Sequence, residues 1–149
     1  MNLKNALIYS DNIYFAKAAL KIGADAFASS LKSLGFGQEL PFEISMTKSQ
    51  YSNTDRIETE IQLADSGYGQ GQILVNPLHL ASMYTAFLNG GNMLKPMLRY
   101  EEGAAAETWI PQAFSEEIID QVMEGLYGVV NDSEGTGYGA HREDMTLAG

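Results

Sequence analysis

Apolar positions recur every third or fourth residue in several stretches of this chain, and glycines punctuate them. Over Asn2 to Ile8, Leu3, Ala6 and Leu7 keep helical spacing in a run short enough to be a helix end or a loop. From Asp11 or Asn12, the recurrence of Ile13, Ala16 and Leu20 predicts a helix to about Ile22, and Gly23 stops it as a glycine after a last helical turn does. A second helix follows from Ala24 to Leu34, with Phe27, Leu31 and Leu34 on one face, Lys32 and Ser33 turned away, and Gly35 and Gly37 beyond its end. Asn76-Pro77 is a strong start signal: an amide cap, then a proline whose missing N–H is not needed in a first turn. The helix it opens carries Leu78, Ala81, Thr85 and Leu88 on one face and Leu80, Met83, Tyr84 and Phe87 over much of the rest. That distribution predicts a largely buried element, ended by Asn89-Gly90-Gly91-Asn92. Ser115-Glu116-Glu117 opens a last helix, its acids where the helix dipole favours them and Ile118, Ile119, Val122, Met123 and Leu126 as its stripe.

Between these helices the periodicity fails. Gln38 to Glu60 holds Pro41 and a polar cluster from Lys48 to Asp55, which predicts an extended surface loop. Ile57, Ile61 and Leu63 suggest a short buried segment after it. Asp65-Ser66-Gly67-Tyr68-Gly69-Gln70-Gly71 is a turn with glycine at alternate positions, yet no Gly-Lys-Ser/Thr follows and no strand leads into it, which excludes a phosphate loop. Met93 to Tyr100 alternates around Pro96, as a short edge strand would, and Glu101 to Thr108 reads as a connecting turn. Asn131 to Gly139 is a polar glycine-rich loop. The fold class is therefore mainly α with two or three short strands.

Composition narrows the classes. A chain of 149 residues with 45% hydrophobic and 19% charged positions suits one globular domain. The net charge of −10 argues against nucleic-acid or anionic-membrane surfaces, which need clustered Lys and Arg. With no cysteine there is no disulfide, thiolate metal site or cysteine nucleophile. The two histidines, His79 and His141, have no partner at ligand or triad spacing, so both are expected to be structural or solvated, and neither metal nor cofactor is expected.

The chemistry that remains lies at Tyr9-Ser10-Asp11-Asn12, where an apolar run meets the start of a helix. Ser, Asp and Asn are preferred helix caps, which alone accounts for them. Ser-Asp-Asn is also the middle motif of serine acyl-transferases that react with penicillin, in company with Ser-x-x-Lys and Lys-Thr-Gly. Ala6 to Ala16 resembles the segment around that motif in penicillin-binding transpeptidases. Gly67-Tyr68-Gly69-Gln70-Gly71, then Asn76-Pro77 and a helix ending at Asn89-Gly90-Gly91, resembles the next landmark, and Thr146-Leu147-Ala148-Gly149 looks like the residues that precede Lys-Thr-Gly. Three landmarks in order are more specific than any one. The best match is to class B penicillin-binding proteins, and among them to the low-affinity, methicillin-resistance-type branch of Gram-positive bacteria.

The resemblance implies that residues 1–149 are the helical portion of the β-lactamase/penicillin-binding transpeptidase fold, from just before Ser-Asp-Asn to just before Lys-Thr-Gly. Ser29 to Lys32 satisfies Ser-x-x-Lys by letter but follows Ser10 instead of preceding it, on a helix whose lysine is expected to face solvent. By resemblance, Ser10 relays a proton between a catalytic lysine and the leaving nitrogen, and Asn12 hydrogen-bonds that lysine and the substrate carbonyl. Asp11 turns away to cap the helix, while Tyr68 and Gln70 lie at the rim of the substrate groove. The partners implied are peptidoglycan stem peptides and β-lactams, and the parent protein is expected to be membrane-anchored with this domain outside the cell. The segment alone is expected to be inactive and to expose an apolar patch, or to hide one by self-association.

Other readings remain open at this stage. A class A β-lactamase shares Ser-Asp-Asn, but the stretch from Asn12 to Gly149 is long for one and the Gly-Tyr-Gly-Gln-Gly turn fits a transpeptidase better. A non-catalytic β-lactam sensor and an acidic cell-division interaction module are the remaining alternatives.

Overall fold

The computed structural model describes all 149 residues. Six α-helices account for most of the regular structure: α1 Leu3–Ile8, α2 Asn12–Ile22, α3 Ala24–Ser33, α4 Glu60–Ser66, α5 Pro77–Leu88 and α6 Glu116–Asn131. Two short strands, β1 Met93–Leu94 and β2 Thr108–Ile110, pair antiparallel with an irregular register, Met93 opposite Ile110 and Leu94 opposite Thr108. A single 3₁₀ turn covers Tyr138–Ala140. The mainly α reading holds.

Two helix pairs frame the site. In the first, α1 lies on α6, and the sequence allows this because Gly125 and Gly128 offer no side chain to the contact. A Cβ at Gly128 would stand 2.6 Å from Ile8 Cδ1, and one at Gly125 would run into Leu7. Ala6 and Ile8 are fully buried there. In the second pair α2 lies on α4, where Gly67 sits so close that a Cβ would be 2.6 Å from the Phe15 carbonyl oxygen. Gly23, at φ 88°, ends α2 and begins α3 in one residue, a left-handed angle that favours glycine.

Several expectations need correction. The residues Ile57, Ile61 and Leu63 do not form a short buried run: Ile57 lies ahead of α4, which holds Ile61 and Leu63 and is capped by Thr59, whose Oγ1 accepts from Gln62 N–H at 3.1 Å. Residues two apart on a helix point to different sides, so Leu63 is buried while Ile61 is 76% exposed. Nor does Gln38 to Glu60 run over the surface throughout. Ser49, Tyr51 and Ser52 are buried, and Gln50 exchanges two backbone hydrogen bonds with Leu74, at 2.8 and 3.0 Å. The Gln72 carboxamide accepts from Asn53 N–H at 2.9 Å and stands 3.2 Å from both Ser52 Oγ and Gln62 Nε2. This knot of polar side chains does what hydrophobic periodicity does elsewhere.

The expectation of a largely buried α5 also fails in part. Its inward line is His79, Ser82 and Ala86, whereas Leu80, Tyr84 and Leu88 are exposed, Leu88 at 86%. The Ile13, Ala16, Leu20 line of α2 is likewise uncovered at Ile13 and Leu20, and Ala19 is the buried residue. On α6 burial is concentrated in the half that meets α1, leaving Ile118 exposed. Beside α5, an apolar groove of about 390 Å³ is lined by Tyr84, Phe87, Met123, Leu126 and Tyr127, with Leu147 from the tail. No helix is long and apolar enough to cross a membrane.

Candidate active site

Only Tyr9, Ser10 and Asp11 separate α1 from α2. To turn this tightly the chain sends Ser10 N–H to the Leu7 carbonyl at 3.1 Å and Asp11 N–H to the Ala6 carbonyl at 2.9 Å. Ser10 takes φ 52°, a left-handed angle that side chains avoid and that costs on the order of 1–3 kcal/mol. Asp11 caps α2, its Oδ1 accepting from Tyr14 N–H at 2.9 Å. With Asp11 committed to the helix end, Ser10 and Asn12 are left exposed on the outer side of the corner.

An open depression of about 320 Å³ lies in front of that corner. Leu7, Ser10, Asn12, Phe15, Gly67 and Tyr68 line it, so α1, α2 and the end of α4 each supply a wall. Tyr68 is held by its Oη, which donates to Asp65 Oδ1 at 2.6 Å, and that carboxylate bond pushes the phenol pKa above its usual value. Ser10, Asn12 and Tyr68 are thus brought together, whereas Gln70 is exposed and outside this lining. Its own N–H donates to the Asp65 carbonyl at 3.0 Å, closing the turn. Gly69 and Gly71 occupy left-handed angles in that turn, φ 78° and 70°.

Sequence reasoning missed one side chain here. Thr136, from the glycine-rich loop after α6, places Oγ1 2.9 Å from Ser10 Oγ. Its separation of 126 residues from Ser10 hides it from any local pattern; a lone Thr between Gly135 and Gly137 is the only signal.

The other candidates are placed elsewhere. Ser29 and Lys32 are exposed on α3, with Lys32 Nζ 5.6 Å above the centre of the Tyr51 ring. His79 is fully buried: Nε2 donates to the Leu34 carbonyl at 2.8 Å, and Nδ1 accepts from Ser49 Oγ at 2.7 Å. Ser49 Oγ accepts in turn from Asn76 N–H at 2.9 Å, which fits that tautomer. Burial lowers the His79 pKa, and the ring packs between Phe36 and Trp109 as a neutral spacer. His141 stacks on Tyr138 and pairs with Asn131 Oδ1 at 3.0 Å, in the open. No cluster of three or more His, Asp or Glu side chains is placed to hold a metal ion.

The family model of the penicillin binding protein transpeptidase domain matches the chain over residues 1–149. The chain belongs to this family. It is 44% identical over 149 residues to penicillin-binding protein 3 of Bacillus subtilis (strain 168), covering 100% of this chain and 22% of that protein. It is 26% identical over 102 residues to a peptidoglycan D,D-transpeptidase FtsI homolog of Mesostigma viride, covering 66% of this chain and 17% of that one. The chain therefore spans less than a quarter of either relative. The D,D-transpeptidase domain of a peptidoglycan glycosyltransferase from Eggerthella lenta superposes at a TM-score of 0.81 with 23% identity, over 100% of this chain and 40% of that one. A peptidoglycan glycosyltransferase from Burkholderia ambifaria gives a TM-score of 0.81 at 22% identity, over 100% and 46%. The mainly helical architecture is thus shared with part of both structures.

Proposed function

We propose that residues 1–149 supply the Ser-Asp-Asn side of a serine D,D-transpeptidase that cross-links peptidoglycan stem peptides and is acylated by β-lactams. The observation that carries this is the corner itself: a hydroxyl and a carboxamide two positions apart, presented to a depression that Tyr68 also walls. In this reading the nucleophilic serine and its lysine come from a Ser-x-x-Lys ahead of these residues, and a Lys-Thr-Gly strand follows them. Serine oxygen bonds to the penultimate D-Ala carbonyl carbon, and the terminal D-Ala leaves with its nitrogen protonated; the amine of a second stem then displaces the serine. Ser10 suits the proton path because a hydroxyl accepts one proton while giving up another. Asn12 offers an amide N–H to the substrate carbonyl and its oxygen to the lysine. Tyr68 positions the bound peptide, and Gln70 lies further out along the rim. The protein is membrane-anchored with this domain outside the cell.

Replacing Ser10 by Ala in the full-length protein tests the reading. Acylation by a fluorescent penicillin should slow by roughly 100-fold or more, the scale of a lost proton-transfer group. An unchanged rate would leave Ser10 with a structural role in the corner only, as expected of an interaction module. Steady release of hydrolysed penicillin would favour a β-lactamase. Residues 1–149 on their own should form no covalent adduct.

A further inference from the structure

Ser10 Oγ has one side-chain partner in the fold, the Thr136 hydroxyl at 2.9 Å. The loop that carries Thr136 is fixed from both sides. Thr136 N–H donates to the Ile8 carbonyl at 3.0 Å, tying the loop to the last turn of α1. Gly137 N–H donates to the Val129 carbonyl at 3.0 Å, and Gly135 lies where a Cβ would be 2.7 Å from the Gly128 carbonyl oxygen. Tyr9 Oη reaches Glu134 Oε2 at 3.4 Å, a further tie between corner and loop. A strained serine, a second hydroxyl on a fixed loop and no charged group between them form a specific arrangement.

We propose that Thr136 is a positioning residue for Ser10, holding its hydroxyl toward the cleft and reversing the direction of their shared hydrogen bond as Ser10 passes a proton. The chemistry follows from the pair being two hydroxyls. When Ser10 Oγ accepts a proton from the lysine side, its own proton must point to the leaving nitrogen, and Thr136 then donates to Ser10. Before that transfer Ser10 donates to Thr136, which leaves a Ser10 lone pair facing the lysine. Either hydroxyl can take either role without a change of charge. A carboxylate at position 136 could only accept, and a valine would let the Ser10 hydroxyl rotate freely.

This rests on Ser10 acting as the relay, and the test separates the two. In the full-length protein, the rate of acylation by a fluorescent penicillin is measured for Ser10→Ala, Thr136→Val, Thr136→Ser and the double variant Ser10→Ala/Thr136→Val, with melting temperature as the check on folding. Thr136→Val should acylate roughly fivefold to tenfold more slowly, the factor that one neutral hydrogen bond corresponds to. Thr136→Ser should stay within about twofold of the parent, and the double variant should be no slower than Ser10→Ala, because a coupled pair is not additive. If Thr136→Val melts early, Thr136→Ala replaces it in the comparison. A Thr136→Val or Thr136→Ala rate equal to the parent's while Ser10→Ala is slow overturns the positioning role alone. So does a Thr136→Ser rate as low as that of Thr136→Val, or a full multiplicative loss in the double variant. A normal rate for Ser10→Ala overturns both readings.

Discussion

At Ser10 the backbone and the side chain ask for different residues. The angle of φ 52° favours glycine, and only the side chain gives a reason for serine. Ser10→Gly should therefore fold about 1 kcal/mol more stably than Ser10→Ala, since both lose the hydroxyl and only the glycine sheds the strain. Denaturant melts of the two variants check this; equal midpoints would show that the corner carries no strain. His79 gives a second residue-scale prediction. Its pKa in the fold is below the ordinary 6.5 because burial disfavours the charged ring. The unfolded chain then binds the extra proton first, so this contribution is intact above the usual histidine pKa and is lost as pH falls below it. Melting temperature should drop on acidification from neutral pH to about 5, and less steeply in His79→Gln. Much at this scale was legible: the Asp11 cap, the buried place of His79 and the exposed place of His141 follow from residue type and position. Ser49 and Thr136 were not, because their partners lie 30 and 126 residues away and no local rule spans such gaps.

At the scale of elements, glycines decide which helices can touch. Alanine normally improves a helix interior over glycine by about 0.5–1 kcal/mol, and Gly128 lies inside α6. The Ile8 side chain under it is buried and has nowhere to retreat, so the clash wins. Gly128→Ala should destabilise by about 1–3 kcal/mol and, because α1 carries the corner, should also slow acylation in the full-length protein. Gly139→Ala, where a Cβ meets nothing within 4 Å, is the control expected to be neutral. Helix starts were well read wherever a capping side chain preceded an apolar run, as at Asp11, Asn76 and Ser115. What failed was the choice of buried face. On α5 the sequence shows apolar residues nearly all round, and the inward line of His79, Ser82 and Ala86 is its most polar one. A polar residue with a bonded partner buries as readily as leucine, and periodicity cannot see the partner. Helix α4 was missed because it is seven residues long with a single fully buried apolar side chain.

For the whole molecule, surface and charge pull in opposite directions. Leu88, Ile13, Leu74 and Ile22 are each more than half exposed, and the groove beside α5 is almost wholly apolar. A net charge of −10 keeps copies apart at low ionic strength, and salt screens that repulsion. Residues 1–149 alone should therefore bind a hydrophobic dye and elute above the 16.3 kDa of one chain as salt is raised. A dye-negative species that stays monomeric in high salt would mean that the exposed positions are too scattered to act as a patch. Self-association of this kind was an expectation from the sequence, and the exposed positions are its physical basis.

The tie between Thr136 and the Ser10 corner also sets an order of events during synthesis. Residue 10 leaves the ribosome more than a hundred residues before the loop that anchors it, and contacts of such separation form late. A nascent chain interrupted before α6 has neither the glycine face for α1 nor the hydroxyl that meets Ser10. The corner therefore lacks this tie until that loop has been made, so shorter partly made chains carry the motif in sequence without all of its geometry.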